Sequence, residues 1–249
     1  MTADSDPAAG PPEEAEQPAP TAAGSEPAPR PLRRRIHEQP DRYGALLVLV
    51  LVDCVVFFAA GRDGFGRAAP TVLVAITVLF GLRTSRVHGA VVRVAQALTI
   101  LLLLLLIVGG AAGSEAIHGW SAIVGAIAVG ILTAAVMFRV LRHETVTLQT
   151  ILGAVTVYVL FGFVFAFLEF GIGDATGRQF FAQTANPHLA DYLYFSFVTL
   201  TTLGFGDLTP DTNLGRGLVS FEALLGQVFL VTLVARLVSL YGNDRRRGA

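Results

Sequence analysis

The sequence predicts an all-α membrane protein: six transmembrane helices plus a re-entrant pore helix that enters the bilayer without crossing it. Three observations predict this. The 249 residues are 53% hydrophobic with a mean hydropathy of +0.61, above the roughly 45–50% apolar content of an ordinary soluble domain even with glycine counted. The apolar residues collect in six runs near 43–60, 68–82, 92–112, 119–138, 147–171 and 216–241, and a spanning helix takes about 20 residues. A further apolar run, 188–201, is too short to cross and suits a re-entrant segment, since irregular backbone at membrane depth is tolerated only inside protein.

The elements follow in order. Residues 1–42 form a tail that holds nine of the twelve prolines, with much Ala, Glu and Gly. Such a composition cannot bury a core, so disorder is expected. An acidic start without an apolar stretch is not a signal peptide. The tail turns basic at Arg30, Arg33, Arg34 and Arg35, with Arg42 just before the first run; this strip suits either binding of anionic lipid or an orientation signal. Residues 43–138 hold the first four runs. Cys54 lies within the first, so no disulfide framework is possible within one chain, and a small buried or lipid-facing role is expected. The second run is short. Arg93, at the start of the third, is placed to snorkel to the interface. The fourth contains no Arg or Lys, whereas a voltage sensor needs several, each charge worth about 2.3 kcal/mol per 100 mV. Weak or no voltage dependence is therefore expected. Arg139 and Arg142 sit in a linker, 139–146, where orientation charges belong. A pore module over 147–241 and a short basic tail over 242–249 complete the chain, and no nucleotide- or calcium-binding gating domain is expected after Tyr241.

Charge orients the runs. With the N-terminus inside, thirteen of the eighteen arginines fall on the inner side and four, Arg62, Arg67, Arg178 and Arg216, on the outer, as the positive-inside rule requires. Both termini are then cytoplasmic and 172–215 lies outside.

Within the pore module, Asn186-Pro187 is suited to open a helix, Asn as N-cap and Pro at the first helical position. Asp191 complements the positive end of the dipole. The helix is expected over 188–201, its negative end pointing to the membrane centre. Thr201-Thr202-Leu203-Gly204-Phe205-Gly206-Asp207 follows. Glycines at 204 and 206 permit positive φ at no steric cost, as needed if successive carbonyls are to face one axis. Asp207 either ties down the loop or concentrates cations at its outer mouth, and both can hold. Pro210 leads to the last helix, expected from about Arg216. Gly226 in its interior costs about 1 kcal/mol against Ala, which suggests a close helix crossing or a hinge. Glu222, four residues earlier, lies on the same face with Gln227 beside it. We place it behind the loop, bonded to pore-helix hydroxyls such as Thr199, either as a functional carboxylate or as a protonated structural one. Glu169, near the outer end of the fifth run, is expected among headgroups. Arg236 is expected to snorkel or to line a gate.

The stretch from Tyr194 to Pro210, Tyr-Phe-Ser-Phe-Val-Thr-Leu-Thr-Thr-Leu-Gly-Phe-Gly-Asp-Leu-Thr-Pro, closely resembles the pore loop of tetrameric potassium channels, prokaryotic ones especially. The last helix, with Gly226, resembles their inner, gate-forming helix. The resemblance is close over 188–241, fair over 147–171, and one of layout only over 1–146. It implies a selectivity filter over 202–206, with K+ held by carbonyls of Thr202, Leu203, Gly204 and Phe205 and by the Thr202 hydroxyl. It implies that Gly206 and Asp207 shape the outer mouth, that Thr199, Thr201 and Glu222 lie behind the filter, and that Gly226 is a gating hinge. One pore loop per chain implies a homotetramer, closed by fourfold symmetry, in the cell (plasma) membrane. Two departures stand out. The usual filter tyrosine is Phe205, so a phenol behind the filter is missing. Val198 stands where some members carry a glutamate that braces the mouth aspartate, so Asp207 lacks that partner.

Rival readings are a weakly selective cation channel of the same architecture, a potassium transporter subunit, and a non-conducting scaffold. No metal-ligand cluster, P-loop or nucleophile–base motif is visible, and His37, His88, His118, His143 and His188 are scattered at or beyond run ends. No enzyme activity, no cofactor beyond K+ as permeant ion, and no nucleic-acid partner is expected.

Overall fold

The computed structural model describes residues 43–61, 64–84, 89–142 and 147–247, with the side chains at 64–67, 115, 116, 237 and 239–247 left aside. The polybasic strip Arg30–Arg35, the tail to residue 42, and the 143–146 part of the expected linker lie outside the described residues. Seven helices form: α1 (Tyr43–Ala59), α2 (Gly64–Thr84), α3 (Gly89–Ala112), α4 (Glu115–Arg142), α5 (Leu148–Thr176), α6 (Leu189–Leu200) and α7 (Asn213–Arg247). Among the described residues there is no strand, only one antiparallel bridge between Phe181 and Pro210.

Every apolar run falls on a helix. Four are long and apolar enough to cross a bilayer: Gly89–Ala112, Ile117–Arg142, Leu148–Thr176 and Asn213–Arg236. The apolar parts of α1 and α2, Tyr43–Ala59 and Ala68–Thr84, are shorter. α1 has 17 residues, about 25 Å of helix at 1.5 Å per residue against a hydrocarbon core near 30 Å. Several boundaries differ from expectation. α4 continues through Arg142, taking in the first half of the linker, and α5 continues past 171 to Thr176. α7 starts at Asn213, where the Thr212 hydroxyl accepts the Gly215 N–H at 3.0 Å, and runs on through Arg247 across most of the expected basic tail.

α5 is the hub. Thr147 caps its start, accepting the Thr150 N–H at 3.3 Å, and Gly177 ends it in the left-handed region at φ 62°. It packs along α4 and against α1, α6 and α7. Its fit with α4 rests on small residues: a Cβ at Gly171 would meet Ile123 Cγ1 at 2.6 Å and the Gly119 carbonyl at 3.0 Å. Close backbone approach of this kind lets helices pack where hydrophobicity gives no drive, lipid being as apolar as the side chains. On the α1 side, Phe57 stands edge-on to Phe163 and Phe167, with centroids 5.2 and 5.8 Å away. Leu46, Val50, Leu132, Val136 and Val157 complete this seam, all buried. α1 and α4 thus pack on α5 directly, α2 and α3 join through them, and α6 packs on α5 and also touches α1.

Candidate functional site: the pore loop and its supports

α6 begins at Leu189 rather than at Pro187. The His188 N–H donates to Asp191 Oδ2 at 2.6 Å, and His188 is extended at φ −85°, ψ 159°. Asp191 therefore occupies the third helical position, from which a carboxylate reaches back to the N-cap. Asn186 and Pro187 lie before the helix. Six residues of α6 are buried, among them Tyr192, Leu193, Ser196 and Leu200. At Gly162 of α5 an added Cβ would collide with the Phe197 ring, so glycine there allows the two helices to touch.

The loop leaves α6 in steps. The Thr201 hydroxyl donates to the Phe197 carbonyl at 2.6 Å, the Thr202 N–H to the Thr199 carbonyl at 2.9 Å, and the Leu203 N–H to the Val198 carbonyl at 3.0 Å. Then φ is positive at every second residue: 58° at Thr202, 57° at Gly204 and 78° at Gly206. Left-handed residues at alternate positions turn successive peptide planes to present their carbonyls to one side, as a filter requires. The glycines were legible in the sequence. Thr202 was not: it is the one non-glycine residue with positive φ among the described residues, and a β-branched residue there is strained by about 1–3 kcal/mol.

Asp207 lacks a glutamate partner at Val198, as expected, but it is not without a brace. Tyr194, one helical turn earlier on α6, donates its hydroxyl to Asp207 Oδ2 at 2.8 Å. The same ring stacks on Phe205 at 6.5 Å with an 8° interplanar angle. Tyr194 thus takes over two tasks that the sequence left unassigned, and its spacing of four from Val198 is the signal that would have found it. The outer end is tied further. The Ala182 N–H donates to the Thr209 carbonyl at 2.9 Å and the Asp211 N–H to the Phe180 carbonyl at 2.8 Å. The Gln183 amide grips Thr209 twice, donating to its hydroxyl at 2.7 Å and accepting its N–H at 2.9 Å. Phe180 and Phe181 pack on Tyr192 and Phe195 beneath this loop.

Behind α6 the structure corrects two expectations. Glu222 accepts a pore-helix hydroxyl, as expected, but that of Ser196 rather than Thr199; Ser196 is fully buried on the face turned to α7. Glu169 is fully buried, not among headgroups. The cause is the longer α5, which continues seven residues beyond Glu169, with Gly171 and Gly173 letting α4 and Tyr192 close over it. Gly226 lies against the end of α6: a Cβ there would meet Leu200 Cδ2 at 2.9 Å and the Leu200 carbonyl at 3.2 Å. That Leu200 carbonyl also accepts the Tyr158 hydroxyl of α5 at 2.9 Å, a support not foreseen. Arg236 lines a nearly apolar cavity of about 320 Å³ between α4, α5 and α7, with Met137, Phe161 and Phe229. Also missed was Asp53 of α1, buried with one oxygen bonded by Thr77 at 2.6 Å.

The family model described as "Ion channel" matches residues 153–243, which run from the first half of α5 into α7. Protein LctB of Geobacillus stearothermophilus is 30% identical over 133 residues, covering 50% of this chain and 95% of that protein. The chain belongs to the pore-loop ion channel family. Two other members match over shorter stretches. The calcium-activated potassium channel slo-1 of Caenorhabditis elegans is 36% identical over 73 residues, 28% of this chain and 6% of that one. Two-pore potassium channel 4 of Arabidopsis thaliana is 36% identical over 74 residues, 29% and 26% respectively. This pore-loop ion channel is a multi-pass membrane protein and a channel rather than an enzyme.

Proposed function

We propose that this pore-loop ion channel is a potassium-selective channel that conducts K+ passively across the cell membrane. Four copies close one pore, each with six spans and cytoplasmic termini, and carbonyls of Thr202, Leu203, Gly204 and Phe205 replace water around the ion. The observation that carries this reading is the positive φ at Thr202, Gly204 and Gly206 directly after a capped short helix. Rings of such carbonyls compensate dehydration, and multiple sites in a row let ions leave as readily as they enter. The negative end of α6, worth roughly half a charge per helix, adds to this from four sides. Assembly is supported by a stripe on α7, Phe221, Leu224, Val228, Val231 and Val238, all more than half exposed in the single chain. Gly226, against Leu200, is the point where α7 would pivot to open the inner end. Arg30, Arg33, Arg34 and Arg35 would hold anionic lipid at the inner surface. No resident cofactor enters this mechanism.

The test is flux from purified protein in liposomes with reversal potentials in mixed K+ and Na+. Strong K+ preference, abolished by Gly204→Asp, is the expected result. Equal permeability would make it a weakly selective cation channel instead, and absent flux in the wild type would overturn conduction altogether.

A further inference from the structure

Glu169 on α5 and Glu222 on α7 are both 0% exposed, at a level where the two helices pack together, Phe165 lying 6.3 Å from Phe221 between ring centroids, and their carboxyl groups act on each other. One Glu222 oxygen accepts the Ser196 hydroxyl of α6. The other Glu222 oxygen and both oxygens of Glu169 find no donor among the described residues. The remaining titratable neighbours are tyrosines and acids: Tyr158 on α5 faces Glu222, and Tyr192 on α6 faces Glu169 together with Asp174 and Asp191. Among the described residues, the groups acting on the two carboxyls are each other and the Ser196 hydroxyl.

Two adjoining ionised carboxylates in a dry interior repel each other, and each is a buried charge without a counter-ion. A single proton between them removes both problems, because the protonated carboxyl becomes the missing donor to the other. We propose that Glu169 and Glu222 share one proton, and that Glu169 is thereby a positioning residue for the filter. It holds Glu222 against Ser196, and Gly226, one turn further along α7, rests on Leu200, one turn further along α6. The chain Glu169–Glu222–Ser196 therefore sets where α6 ends and the filter begins. This inference rests on the potassium-channel reading above and deepens it by adding a residue of α5 to the filter's support.

The test compares wild type, Glu169→Gln and Glu169→Leu in K+-loaded liposomes, with infrared spectra of the same samples. The glutamine keeps a donor toward Glu222 and should conserve flux and K+ over Na+ preference. The leucine leaves the second Glu222 oxygen buried without a donor and should lose about tenfold or more in one of them, the factor that goes with 1.4 kcal/mol. Raising pH strips the shared proton, so alkaline wild type should move toward the leucine variant while Glu169→Gln stays flat. One protonated-carboxyl C=O band should vanish in Glu169→Gln. If the leucine variant fails to assemble, the pH comparison of wild type with Glu169→Gln decides. Unchanged flux and selectivity in Glu169→Leu, matching pH profiles, or an unchanged carboxyl band would overturn the proposal. Absent flux in wild type with the band present would instead sink the functional reading and leave the proton-sharing pair standing.

Discussion

The four helices α1–α4 and the pore module α5–α7 are both built from apolar helices, yet their polar side chains are tied differently. In α1–α4 these groups mostly satisfy themselves at home. Thr99 donates to the Ala95 carbonyl at 2.8 Å, Thr133 to Val129 at 2.7 Å and Ser121 to His118 at 2.7 Å. Such bonds turn a hydroxyl back onto its own helix and link nothing else. Thr77, by contrast, donates across to Asp53 of α1. In the pore module Thr156 also turns back onto its own helix, donating to the Leu152 carbonyl at 2.7 Å. Further polar bonds there, buried and exposed, run between elements: Tyr158 to Leu200, Ser196 to Glu222, Tyr194 to Asp207, Gln183 to Thr209. The first arrangement makes helices comfortable in lipid. The second fixes an irregular backbone that has no regular ladder of its own.

That contrast can be broken at chosen points. The largest effect is expected at Gly204, whose φ of +57° is open to glycine but strained for any side chain. Gly204→Ala should cut K+ flux by about a hundredfold or more, with helix content by circular dichroism unchanged; the direction follows from the cost of left-handed backbone with a Cβ. Next is Gly162→Leu, which drives a side chain into the Phe197 ring. Overpacking there should destabilise the folded protein by about 3 kcal/mol, read as a lower melting temperature in detergent. Thr77→Val, in the other region, removes the donor to Asp53 and should destabilise by about 1 kcal/mol without altering ion selectivity; a selectivity change would erase the distinction between the two regions. Smallest is Tyr194→Phe, which keeps the stack on Phe205 and loses the bond to Asp207. It should speed loss of current under sustained opening by a few-fold, measured in single-channel records.

The sequence announced the helices well because hydropathy is a property of runs, and the pore helix because a short apolar run before a glycine-bearing loop has few other uses. Its errors were errors of ends and of partners. Glu169 seemed terminal because Gly171 and Gly173 dilute the apolar run, yet those glycines are what allow α4 and Tyr192 to close over it. Asn186-Pro187 carried good start signals, but Asp191 can satisfy only the N–H of His188. Ser196 in place of Thr199 is a choice between adjacent turns of one helix face that a one-dimensional string does not express, whereas Tyr194, four residues from Val198, stood at a spacing that could have been read. Asp53 escaped notice because a single carboxyl barely lowers the mean hydropathy of its run.

The double grip of Gln183 on Thr209 makes the loop between α5 and α6 a handle on the ion path. Thr209 is two residues past Asp207, so anything that seizes the loop, whether an antibody, a bound toxin or a cross-link at residue 184, pulls on the turn after Asp207 through hydrogen bonds, two from Gln183 and the backbone pairs Ala182–Thr209 and Asp211–Phe180, rather than through slack chain. An agent too large to enter the pore would then still alter conduction, and would do so without blocking it.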